Sequence, residues 1–110
     1  LYVVVRKDLS FPQKIVQSCH SVFESVLNIP PQPPWVHPVH PNIISCEVRD
    51  ERQLIKFSEK LDKEGVWYAL FQEPDIGDQY TSLATEIVYG DRRFLFKNLQ
   101  LIKETQNASI

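Results

Sequence analysis

Apolar and polar positions along this chain follow two rhythms, one of strands and one of helices. Tyr2-Val3-Val4-Val5 is an apolar, β-branched run that stops at Arg6-Lys7-Asp8. This predicts a buried strand followed by a polar loop. Ser10 with Gln13 three residues on has the form of a capping box, and Pro12 falls in the first turn, where its missing N–H does little harm. Ile15, Cys19, Val22, Phe23, Val26 and Leu27 then recur at helical spacing, so residues 11–27 are expected to be a helix. Residues 28–41 hold six prolines, which excludes helix and central strand and predicts a loop of polyproline character, with Trp35 packing back on the domain.

Beyond that loop, residues 42–48 alternate and are β-branched, as a strand requires. Asp50 caps the next helix with Gln53 three residues on, Leu54, Ile55, Phe57 and Leu61 form its apolar stripe, and Gly65 ends it. Residues 66–71 are almost wholly apolar and are read as a central strand. Residues 72–81 form a polar loop, 82–89 a fourth strand, Gly90-Asp91 a turn, and 94–102 a last helix or strand before a frayed tail from Lys103. The order β-α-β-α-β-β predicts a single α/β domain with right-handed crossovers and a largely parallel sheet. The loop before the last strand is too short for a crossover helix, so that strand pairs antiparallel and the sheet is mixed.

Composition narrows the class. Apolar residues are 43% and charged residues 24%, which points to a globular domain rather than a disordered tail. At 110 residues there is room for one core. No apolar run approaches the roughly 20 residues of a membrane helix, so no membrane partner is expected. The chain begins at Leu1 and has no methionine, which suggests a segment upstream. Cys19 and Cys46 sit inside apolar patterns without metal-like spacing and are expected to be buried free thiols, suited to a reducing, cytoplasmic setting. The net charge of −2 means that any nucleic-acid binding needs a local basic face.

Two places could carry chemistry. In the first helix, with the apolar stripe turned inward, Lys14, Gln17, Ser18, Ser21 and Ser25 would line one exposed face, with His20 at its edge. Lys14 sits in the first turn, where the helix dipole disfavours a cation; a solvated face with a stray lysine is the plain alternative. The second place is the loop from Glu73 to Thr81, which follows a buried strand and carries Asp75 and Asp78; an acidic solvated turn is its plain alternative. Ligands in open α/β sheets bind beyond the carboxyl ends of strands. If the first and third strands run the same way, Lys14 and this loop share one edge.

Val4-Val5-Arg6-Lys7-Asp8-Leu9, followed by Lys14, Gln17, Cys19 and His20, resembles the opening motif of the type II peptidyl-tRNA hydrolases, which reads approximately V-V-R-x-D-L and then G-K-x-A-A-Q-x-x-H. The likeness runs on through the strand ending at Val48, the capped helix 50–64, Gly65, Ala69-Leu70, Asp75 and Gly77, about 100 residues with matching element order. It implies a four-stranded mixed sheet with helices on both faces, often assembled as a homodimer. It also implies hydrolysis of the ester that joins a peptide to tRNA, without metal or organic cofactor. Carried over, the catalytic residues are Lys14, Asp75 and Thr81. Asp75 would hold the water, Lys14 would meet a phosphate or the oxyanion, and Thr81 would orient either partner. Arg6, Lys7, Gln17, His20 and Ser21 would contact peptidyl-tRNA, the first two as salt-sensitive backbone contacts. The chain departs from the pattern at Gln13, where the family has Gly, at Ile15-Val16, where it has Ala-Ala, and at Gln79, where the loop threonine usually stands.

The rival expectation is a hydrolase-like module that has lost turnover and binds RNA or a protein through the helix face or the proline loop. His37 and His40 are read as solvated rather than metal-binding. Asn107-Ala-Ser is a glycosylation sequon by letter only.

Overall fold

The computed structural model describes residues 1–33 and 42–104. Its elements are strand β1 (Tyr2–Arg6), helix α1 (Phe11–Asn28), β2 (Ile44–Val48), helix α2 (Glu51–Lys63), β3 (Tyr68–Glu73), β4 (Gln79–Thr85) and β5 (Gln100–Leu101). Short 3-10 segments at Pro74–Ile76 and Gly90–Phe96 precede β4 and β5. The expectations on Trp35, His37, His40 and Asn107 fall outside the described residues.

Both helices begin where their caps predicted. The Ser10 hydroxyl accepts from the Gln13 N–H while the Gln13 side chain accepts from the Ser10 N–H, closing the capping box. The Asp50 carboxylate accepts from the Gln53 N–H and opens α2. Gly65 follows α2 at φ 69°, a left-handed conformation that glycine adopts without penalty.

The sheet is mixed, with order β3-β4-β1-β2-β5. It has five strands rather than the expected four, because residues 100–101 pair with Cys46 and Glu47. Nor is it largely parallel: β1–β2 is the parallel pair, and β1–β4, β3–β4 and β2–β5 are antiparallel. The apolar β3 is an edge strand, not a central one. Its side chains are covered from the two faces instead: Phe71 stacks on His20 of α1, while Tyr68 and Leu70 pack against the core beneath α2. Since β3 and β1 are each antiparallel to β4, they run the same way. The first turn of α1 and the loop after β3 therefore share one sheet edge.

The apolar core lies on the α2 side. Tyr2, Val4, Cys46, Val48 and Leu83 of the sheet pack against Leu54, Phe57 and Leu61, with Phe96 stacked on Tyr2 at 3.9 Å. Residues between them in the strands, including Val3, Val5, Glu47 and Ser82, turn to the opposite face, where α1 lies.

α1 meets that face with the side opposite to the expected one. Lys14, Gln17, Ser21 and Ser25 are buried, whereas Ile15, Val16, Phe23, Val26 and Leu27 are 50–67% exposed. Cys19 is likewise exposed, against expectation, and Cys46 is buried, with burial pushing its thiol pKa up. The reason lies in the sheet. Its α1 face carries Glu47, Thr81 and Ser82, all buried, and an apolar stripe laid on them would leave each without a partner, at about 1–3 kcal/mol per polar group. The polar stripe satisfies them instead.

Among the described residues no helix is long and apolar enough to cross a membrane, and no group of three metal-ligating side chains occurs.

Candidate functional site

The shared carboxyl edge of β1 and β3 collects most of the residues singled out from the sequence. Gln17 is their hub. Its side-chain amide donates to Glu73 Oε1 at 2.8 Å, its Oε1 accepts from Thr81 Oγ1 at 2.6 Å, and its main-chain carbonyl accepts from Ser82 Oγ at 2.6 Å. One turn further on, the His20 ring stacks on Phe71, centroids 4.6 Å apart.

A β-bulge makes this arrangement possible. Phe71 pairs with Ser82 and Gln72 with Tyr80, so Thr81 is an extra residue on β4. In a regular strand, Thr81 and Ser82 would point to opposite faces. The bulge turns both toward Gln17, a known use of bulges beside functional sites. The Thr81 hydroxyl is fully buried and its orientation is thereby set.

The Glu73 carboxylate links this network to the loop. One oxygen takes the Gln17 amide and the other accepts the Asp75 N–H at 3.5 Å, at the start of the 3-10 turn. Gly77 closes that turn in the left-handed region. Asp75 is exposed, and its main-chain N–H is the group that meets the half-buried Glu73 carboxylate.

Arg6 sits at the end of β1, buried and fully engaged. Its guanidinium forms a two-point pair with Asp8 at 2.9 and 2.8 Å and donates to Gln79 Oε1 and the Tyr80 carbonyl. The hydrogen bonding to the Asp8 carboxylate is the main reason its pKa is raised. Gln79 therefore serves to hold Arg6. Lys7 is exposed and its N–H donates to the Val48 carbonyl, extending the β1–β2 ladder. Ser21 is buried, with its hydroxyl donating to the Ser18 carbonyl on its own helix.

Lys14 stands apart from this group. Its ammonium is enclosed, 3.0 Å from Glu47 Oε2 and 3.0 Å from the Lys103 carbonyl, and both side chains of the ion pair are 2% exposed. The N–H of Lys103 also donates to the same Glu47 oxygen at 3.4 Å. Lys103, expected to begin a frayed tail, is thus the lid of a buried ion pair. Burial of two charges is tolerated because the pair is hydrogen-bonded on several sides.

Glu47 and Glu73 are the main residues that sequence reasoning missed as members of the constellation. Glu47 had a visible signal: it alternates with Cys46 and Val48 in a short strand, so a charge was bound for the second face of the sheet. Glu73 lay in the acidic loop, but its pairing with Gln17 depends on the bulge. Neither a protein-family model nor a curated protein matches this chain.

Proposed function

We propose that this edge of the sheet hydrolyses the ester of peptidyl-tRNA or another N-blocked aminoacyl-tRNA, with the Gln17–Thr81–Glu73 network as the frame and Asp75 as the exposed carboxylate. The observation that carries the proposal is the bulge that delivers Thr81 to Gln17, since Gln17 in turn fixes Glu73 beside Asp75. Ester hydrolysis needs a held water, a proton acceptor and donors for the developing oxyanion. Asp75 would orient the water and accept its proton. The Gln17 amide would act through Glu73, keeping that carboxylate in place rather than touching substrate. Lys14 contributes as the partner of Glu47 and reaches substrate only if the Lys103 segment lifts. Arg6 supports the loop through Gln79 rather than meeting tRNA directly. The reaction as drawn uses water, protein side chains and no cofactor.

A second reading, a hydrolase-like module without turnover, is favoured by one observation: the lysine assigned to catalysis is enclosed by Glu47 and the Lys103 carbonyl. The two separate in a single assay, the release of free tRNA from N-acetylated aminoacyl-tRNA. The esterase reading expects turnover by the parent that falls at least about tenfold in Asp75→Ala, equivalent to about 1.4 kcal/mol of barrier lowering. A folded parent that releases no tRNA above background leaves the module.

A further inference from the structure

Positive charge on this slightly acidic chain is gathered on one side. Three grooves of about 220, 460 and 590 Å³ adjoin one another, and all three are walled by Leu99. The first starts beside the end of β1 with Lys7 and Arg49, and it shares Val48 and Gln53 with the second. The second runs along α2 past Lys56, Lys60 and Lys63. The third reaches Arg93 and Lys97 on the 3-10 segment and its end. Seven of the chain's twelve lysines and arginines therefore line one trough, against three of its fourteen acidic residues: Glu47, Glu59 and Asp91.

The seven cations are all exposed. Glu47 is already bound to Lys14, and among the described residues Arg49 is the one cation of the trough in an ion pair, with Asp50 outside it. Lys56, Lys60 and Lys63 fall within about 60° of one another around a helix, with Glu59 and Glu64 at the two sides of that stripe and Glu51 and Asp62 farther round. Phe94, 66% exposed, lines the far end and offers a flat aromatic face beside Arg93 and Lys97. Cations that track a backbone and an aromatic ring on which a base can stack are the two components of single-strand nucleic-acid binding.

We infer that this trough binds an RNA backbone, running from Lys7 at the candidate site, along α2, to Arg93, Phe94 and Lys97. The inference rests on the reading that the substrate is a tRNA ester, and it names the surface that would hold the tRNA. Lys7 follows the carboxyl end of β1, the same end of the sheet as the loop that carries Asp75.

The test is binding of deacylated tRNA by fluorescence anisotropy across a salt series, with ester turnover measured on the same preparations. The variant Lys56→Gln/Lys63→Gln/Lys97→Gln removes three exposed charges, and circular dichroism checks its fold. It is expected to bind at least tenfold more weakly than the parent at low salt. Its slope of log affinity against log salt should be shallower by about 2, since each phosphate contact contributes roughly 0.7–0.9. Equal affinity and slope in parent and triple variant would overturn the trough, whatever the turnover. So would polyglutamate or anionic phospholipid vesicles that compete as well as tRNA at matched charge, which would point to an acidic protein or a membrane surface. A parent that binds with the expected slope but cleaves no ester keeps the trough and loses the esterase.

Discussion

Helices α1 and α2 share one sheet and begin with similar caps, yet they meet it in opposite ways. α2 buries Leu54, Phe57 and Leu61 and holds its charges in water. α1 buries Lys14, Gln17, Ser21 and Ser25 and leaves Ile15, Val16, Phe23, Val26 and Leu27 exposed. The difference belongs to the sheet rather than to the helices. Its α2 face is apolar, through Val4, Cys46, Val48 and Leu83, so contact there is stabilised by area removed from water. Its other face holds Glu47, Thr81 and Ser82, so contact there is governed by which groups find partners. One interface is a core; the other is the scaffold of the candidate site.

The comparison breaks most sharply at Lys14. Lys14→Met leaves Glu47 buried without its cation and is expected to cost about 3–5 kcal/mol in urea or guanidinium unfolding. Adding Glu47→Leu should recover most of that loss, because two apolar side chains replace two desolvated charges. A single variant as stable as the parent would mean that the ion pair does not hold α1 to the sheet.

A matched pair of truncations measures the two faces next. Leu61→Ala, in the α2 core, should lose about 2–5 kcal/mol. Phe23→Ala, on the outer side of α1, should stay within about 0.5 kcal/mol of the parent. A large loss at Phe23 would show that its ring is covered in solution.

The smallest effect separates the two caps by pH. The backbone hydrogen bond from Gln53 is the main cause that holds the Asp50 carboxylate below its ordinary value of 3.8. A lowered folded-state pKa stabilises above the unfolded value and is lost as pH falls through the folded one. Asp50→Asn should therefore be less stable than the parent near neutral pH and approach it as pH falls below 3.8 and through the lower folded-state value. Ser10, uncharged, should give α1 no such dependence, so Ser10→Asn should differ from the parent by the same amount across this range.

Much of the frame was legible in the sequence. Pairs such as Ser10 with Gln13 and Asp50 with Gln53 mark helix starts because the hydrogen bonds they predict span three residues. Gly65 marks an end for a similarly local reason. The alternation through Cys46, Glu47 and Val48 contained the two-faced character of the sheet. The candidate site was legible as a set of residues: Gln17, His20, Asp75 and Thr81 were all singled out, and the common edge of β1 and β3 unites them. What stayed hidden depended on distant parts of the chain. The extra residue at Thr81 exists only when β4 is registered against β3. The cover over Lys14 needs Lys103, 89 residues away. β3 is as apolar as a central strand because helices cover it from both faces, and periodicity does not report which neighbours supply cover.

α1 states the division most clearly. By itself the sequence determined that residues near 11–28 form a helix with one apolar and one polar stripe, since caps and periodicity act within a few turns. Which stripe would be buried was decided by the tertiary structure alone. The sheet brings Glu47, Thr81 and Ser82 beneath the helix, and the polar stripe is the one that supplies the partners Glu47, Thr81 and Ser82 bond to.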